Sequence, residues 1–210
     1  MEGQKDLASH WNNAYKRSSI EKLGWHEEYP EPSLRLIEKC RFNKDAMLLN
    51  VGAGATNLVR ELINRGFTNI IANDISHEAL DELKGLLGTE SKKVKWIIDD
   101  LTQPTVLKTI EKVDLWHDRA VMHFFTDKKE QNTYFTLLKN LLKPKGFAII
   151  AGFNLNGAPM CSGLRVHRYD KNMLVKQMGS DFELIENFDF TYTMPSGDTR
   201  EYIYTLFRKK

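Results

Sequence analysis

The sequence predicts an α/β fold, a mostly parallel sheet covered by helices. From about residue 46 onward, apolar runs rich in β-branched residues alternate with amphipathic stretches. The first five runs are separated by segments long enough for crossover helices. The tail then changes pattern to two long strand-like runs joined by a turn, which reads as an antiparallel hairpin closing the sheet.

In chain order, residues 46–51 form the first expected strand, and the helical segment 57–65 stops at Gly66, which can take a left-handed conformation. A strand at 70–74, a helix at 77–87, a strand at 94–99, a helical turn after Pro104 and a strand at 113–117 follow. In 127–142, Tyr134, Leu137, Leu138 and Leu141 fall at helical spacing, and Pro144-Lys145-Gly146 ends that helix before a strand at 147–153. The hairpin runs are 182–193 and 200–208, joined by residues 194–198. Ahead of the first strand lie Trp11, Tyr15, Trp25, His26 and Tyr29, and Pro30 opens a helix to about Cys40. Residues 1–45 read as a helical cap on one domain, 1–210, whose sheet core is 46–210.

Composition narrows the function classes. The chain has 210 residues, 41% hydrophobic and 28% charged, an ordinary globular balance. Thirty Lys and Arg against 28 Asp and Glu leave a charge of +2 with no basic field, so neither nucleic acid nor a membrane surface is an expected partner. Apolar runs such as 147–151 are far too short to span a bilayer. Two cysteines, Cys40 and Cys161, are too few for a disulfide framework or a zinc site, and the expected location is a reducing cytoplasm. No metal cluster is expected, and the chain is expected to act as a monomer or weak homodimer.

Open α/β sheets bind ligands beyond the carboxyl ends of their strands. After the first strand comes Asn50-Val51-Gly52-Ala53-Gly54-Ala55-Thr56-Asn57, where Gly52 and Gly54 let the backbone bend tightly and approach a ligand. A dinucleotide fingerprint would place a third glycine at Asn57. Asp74 ends the second strand, 22 residues after Gly52, where a carboxylate can accept from ribose hydroxyls; Asp100, ending the third, can accept from an adenine amine. Together these groups outline a nucleoside site.

On these residues, with Leu141-Leu142-Lys143-Pro144-Lys145-Gly146 and the terminal hairpin, nearly the whole chain resembles the class I S-adenosylmethionine-dependent methyltransferases. The resemblance implies a Rossmann-like sheet of order 3-2-1-4-5-7-6 with strand 7 antiparallel. It implies S-adenosylmethionine as cofactor and S-adenosylhomocysteine as product. Carried over, Gly52, Ala53 and Gly54 line the methionine part, Asp74 with Ile75 the ribose, and Asp100 with Leu101 the adenine. Asn50, Asp118, Trp11 and Tyr15 complete the expected cofactor set. The family usually carries an acid where this chain has Asn50, whose amide oxygen still accepts a hydrogen bond.

The segment 114–125 after the fourth strand resembles that of small-molecule methyltransferases, and it lacks the Asn/Asp-Pro-Pro-aromatic motif of nucleic-acid amino-methyltransferases. His117, Asp118 and His123 are the candidate bases, needed only if the acceptor must lose a proton before attack. Trp25, Arg119, Cys161, Arg165 and Arg168 are the candidate acceptor-binding residues. Arg165, His167 and Arg168 would clamp an anionic substrate, which favours a small acidic metabolite. Two alternatives stand beside it. Trp25-His26-Glu27-Glu28-Tyr29-Pro30-Glu31 also resembles the start of some protein-lysine methyltransferases. A non-catalytic or nicotinamide-binding protein could keep the same nucleoside site.

Overall fold

A computed structural model describes residues 6–210; residues 1–5 of the expected cap lie outside them. Seven strands build one sheet: β1 (Met47–Val51), β2 (Asn69–Asp74), β3 (Val94–Ile98), β4 (Val113–Arg119), β5 (Leu142–Phe153), β8 (Phe182–Thr193) and β9 (Thr199–Lys209). A two-stranded hairpin of β6 (Met160–Cys161) and β7 (Leu164–Arg165) stands apart. The sheet order is β3-β2-β1-β4-β5-β9-β8. Counting only its own strands, this is 3-2-1-4-5-7-6, with β9 antiparallel to both neighbours and the other pairs parallel.

The inner strands β1, β2 and β4 are buried on both faces, whereas the edge strand β3 leaves Lys95 and Ile98 exposed. On one side, Leu48, Ile70, Leu115 and Ile149 pack with α2 (Glu31–Lys39), α3 (Asn57–Asn64) and α4 (His77–Leu87). On the other, Leu49, Ile71, Trp116 and Ile150 pack with α5 (Lys128–Leu141) and α6 (Lys171–Met178). Ser76 caps α4 by accepting from Ala79 N at 3.1 Å, and Asp170 caps α6 by accepting from Met173 N at 2.8 Å.

Two boundaries differ from the sequence reading. Strand β5 begins at Leu142, because Leu142 pairs with Val113 ahead of a register shift between Val113 and Leu115. Lys145 bends the strand there with a φ of 66°. Strand β4 runs two residues further than expected, to Arg119.

The cap divides into two parts with different roles. Helix α1 (Leu7–Arg17) buries no residue fully and leans on the start of α4, where Asn12 Oδ1 accepts from Ser76 Oγ at 2.7 Å and Lys16 pairs with Glu78 at 2.8 Å. Helix α2 instead sinks Leu34, Leu36 and Ile37 into the main core, so it is part of the fold rather than a cover. No helix among the described residues is long and apolar enough to cross a membrane.

Candidate active site

In this order the chain reverses direction across the sheet between β1 and β4, which is where α/β sheets open a crevice for ligands. A cavity of about 320 Å³ lies there, lined from the glycine loop, the ends of β2, β3 and β4, helix α1 and the hairpin tail. Gly52 and Gly54 hold φ values of 56° and 52°, a region costly for any residue with a Cβ. Their surroundings are close as well. A Cβ on Gly52 would overlap Val121 of the loop after β4, and one on Gly54 would overlap the Tyr15 hydroxyl. Tyr15 accepts from Trp25 Nε1 at 3.0 Å, and Trp25 stands edge-on to Trp11, which stands edge-on to Phe124. Aromatic rings from α1 and the segment after it therefore wall the cavity over the glycine loop.

Asp74 is buried and accepts from Gly54 N and Ser76 N, both at 2.9 Å. Burial pushes its carboxyl up to about 6, against the pull of those amides. Two donors leave a carboxylate further lone pairs for ribose hydroxyls. Of the two acids after β3, Asp99 is spent on its own loop, accepting from Thr105 N at 3.0 Å and Leu107 N at 2.8 Å. Asp100 takes Thr102 N at 2.7 Å on Oδ1 only, and Ile75, Asp100 and Leu101 all line the cavity.

Strand β4 separates the candidate bases by its period of two. His117 and Arg119 face the cavity; Asp118 points to the opposite face. There it accepts from Tyr134 Oη at 2.6 Å, Val121 N at 3.0 Å and Met122 N at 3.1 Å, and burial raises its carboxyl to about 7. Asp118 thus ties down the loop after β4 instead of touching a ligand, which corrects its expected place in both the catalytic and the cofactor set. His123 is also outside the cavity wall. It is buried between Phe124 and Phe153, and its Nδ1 accepts from Phe153 N at 3.3 Å.

His117 does reach the cavity, yet both ring nitrogens are occupied. Asn50 lies beside it in register, and its Oδ1 can only accept, so His117 Nδ1 donates at 2.8 Å while Nε2 accepts from Ser33 Oγ at 2.9 Å. Burial, with Arg119 nearby, lowers the imidazole to about 3. Such a ring is a poor proton acceptor at neutral pH.

The segment after β5 does less than its charges suggest. Arg165 is exposed on β7 and does not line the cavity. Arg168 donates to Leu155 O at 3.0 Å and Gly157 O at 3.1 Å, bracing its own loop. Cys161 lines the cavity, but burial raises its thiol, so it is a neutral wall group. The expected anion clamp is absent from this wall for these reasons.

Several lining residues, among them Ser33, Arg200 and Tyr202, were not expected from the sequence, and the most informative of those missed is Glu27. Glu27 is 8% exposed, lines the cavity and pairs with Arg119 Nε at 3.0 Å. Burial outweighs Arg119 and raises its carboxyl. No local signal marks this pair, because the partners are far apart in the chain and meet only through the fold.

A mostly parallel sheet of this order, with a tight glycine loop and acids at two successive strand ends, surrounds one crevice whose groups suit a nucleoside. Residues 48–146 match the family model described as a methyltransferase domain. The EEF1A lysine methyltransferase 2 of Danio rerio is 25% identical over 159 residues, covering 69% of this chain and 67% of that protein. The human protein of the same name is 26% identical over 198 residues, covering 84% and 74%. A solved S-adenosylmethionine-dependent methyltransferase from Anabaena variabilis shares the fold with a TM-score of 0.74 at 14% identity, over 99% of this chain and 96% of that one. In sequence and fold the chain is similar to the class I S-adenosylmethionine-dependent methyltransferases; it is a methyltransferase, and its cofactor is S-adenosylmethionine.

The cavity fits that cofactor. The left-handed glycines leave backbone where side chains would otherwise intrude, and Asp74 and Asp100 each keep acceptor capacity toward a nucleoside.

Proposed function

We propose that the protein methylates a lysine side chain of a protein substrate. The carrying observation is the aromatic wall that Trp11, Trp25 and Phe124 form along the cavity, whose total volume is about 320 Å³. That volume is at the small end for ligand pockets. Once a nucleoside cofactor fills part of it, a slender aliphatic chain ending in an amine fits better than a second compact metabolite. Aromatic faces also attract a cationic head as it arrives. The names of the relatives in Danio rerio and Homo sapiens support the same substrate class, with elongation factor 1A the first candidate.

Bound adenosylmethionine supplies an electrophilic methyl group and a neutral leaving thioether. The protein's part is alignment, which is worth about 7 to 11 kcal/mol in well-oriented reactions. Gly52 and Gly54 set the floor, and α1 brings Trp11 and Tyr15 across the top, excluding water. The acceptor amine must be uncharged to attack. Desolvation against the rings favours that form, so the reading needs no histidine base. We further propose a cytoplasmic location, supported by two unpaired cysteines.

The test is transfer of labelled methyl from adenosylmethionine into a cell extract and into purified elongation factor 1A. Label in protein, recovered as methyl-lysine after hydrolysis, supports the reading. Label confined to the small-molecule fraction overturns it and restores a metabolite acceptor.

A further inference from the structure

The charges in the cavity are unevenly placed. Asp74 and Asp100 follow β2 and β3, while across β1 the neighbouring polar pair, Asn50 and His117, is neutral and turned inward on itself. On that β4 side stand a carboxylate and a guanidinium, Glu27 and Arg119, 3.0 Å apart. A buried ion pair is weak evidence of a stabilising role, since apolar replacements often serve as well. This pair is also incomplete. Arg119 Nη2 is buried with no hydrogen-bond partner, while the ion pair to Glu27 runs from Arg119 Nε to Oε2.

Arg119 is held in one pose. Its Nε also lies 3.1 Å from Tyr204 Oη, its Nη1 donates to Trp25 O at 3.1 Å, and the guanidinium is 4.9 Å from the ring centres of both Tyr192 and Tyr202. A fixed positive and a fixed negative group side by side complement a ligand with the opposite charges on neighbouring atoms. The amino-acid end of adenosylmethionine is such a group, an ammonium and a carboxylate on one carbon. With adenosine toward Asp74 and Asp100, that end extends toward β4.

We infer that Glu27 and Arg119 form the subsite for the amino-acid end of the cofactor. Glu27 accepts from the α-ammonium, and Arg119 donates through its unpaired nitrogen to the α-carboxylate. Arg119 is thereby moved from the acceptor site, where the sequence suggested it, to the donor site. The assignment holds whatever the methyl acceptor is.

Binding measured by calorimetry tests it without turnover. S-adenosylhomocysteine carries the amino-acid end; 5′-methylthioadenosine keeps the nucleoside and sulfur and lacks it. Glu27→Gln and Arg119→Met should each weaken adenosylhomocysteine by about tenfold or more, the size of a lost charge-assisted bond, and leave methylthioadenosine within about twofold. Decarboxylated adenosylhomocysteine separates the two roles: it should remain sensitive to Glu27→Gln and become insensitive to Arg119→Met. Equal losses for both nucleosides, or no loss for either, would overturn the assignment. If Arg119→Met does not fold, the near-isosteric Glu27→Gln with the same ligands decides the question.

Discussion

Replacing Gly54 with alanine perturbs two things that the structure separates. The residue sits at φ 52°, where a Cβ costs about 1 to 2 kcal/mol. The new methyl also overlaps the Tyr15 hydroxyl, whose ring carbon Cζ lies at an acceptable 3.6 Å. Moving that hydroxyl breaks its bond with Trp25 Nε1, worth about 1 kcal/mol, and adds repacking strain. Gly54→Ala should therefore cost about 3 kcal/mol of folding stability. Tyr15→Phe removes the obstructing atom and leaves only the lost bond, about 1 kcal/mol. In the double variant the overlap vanishes, so the combined cost should fall short of the sum by about 1 to 2 kcal/mol. Urea unfolding of the four proteins measures this directly. Gly66→Ala, at φ 84° with nothing within 4 Å of its Cβ, supplies the backbone cost alone. Strict additivity would refute the placement of Tyr15 over the glycine loop.

Other consequences follow from the same geometry. Deleting residues 1–18 should leave a cooperatively folded protein with weakened adenosylhomocysteine binding, since α1 buries nothing fully yet brings Trp11 and Tyr15 to the cavity. Deleting residues 1–40 should abolish cooperative unfolding in circular dichroism, because Leu34, Leu36 and Ile37 are core. Asp118 has a folded value raised to about 7 from 3.8, so its stabilising contribution is full below about 4 and is lost as pH rises through 7. Asp118→Asn should show a flatter dependence of unfolding free energy between pH 4 and 8 than the parent; an unchanged slope would contradict the buried placement. With His117 held near 3, kcat/KM for a lysine acceptor should climb toward alkaline pH with no limb that His117→Asn abolishes. A limb at 6.5 that disappears in His117→Asn would return the histidine to a catalytic role. Arg165→Met should leave acceptor KM unchanged, as Arg165 stands outside the cavity.

The sheet was legible because its inner strands are sandwiched between helices and so read as mainly apolar runs, with Gly66 and Ser76 marking helix ends between them. That Gly52, Gly54, Asp74 and Asp100 would line one cavity was legible too, since they sit at strand ends where position along the chain fixes position in space. Asp118 shows what was available but overlooked: alternation along β4 already puts it on the face opposite His117 and Arg119. Its neighbours are buried on both faces, which hides the alternation in hydropathy. The charges of Arg165 and Arg168 misled for a different reason. A short hairpin at 160–165 turns the first outward, and backbone carbonyls claim the second. Glu27 was out of reach because its meaning depends on Arg119, which only the tertiary fold brings alongside.

The central claim is that one crevice between β1 and β4 holds adenosylmethionine with its sulfur facing the aromatic wall. A crystal structure with adenosylhomocysteine bound tests it most directly. The adenosine should lie against Asp74 and Asp100, the amino-acid end against Glu27 and Arg119, and the sulfur should face Trp11, Trp25 and Phe124. Adenosylhomocysteine bound elsewhere, or a sulfur turned away from those rings, would contradict it.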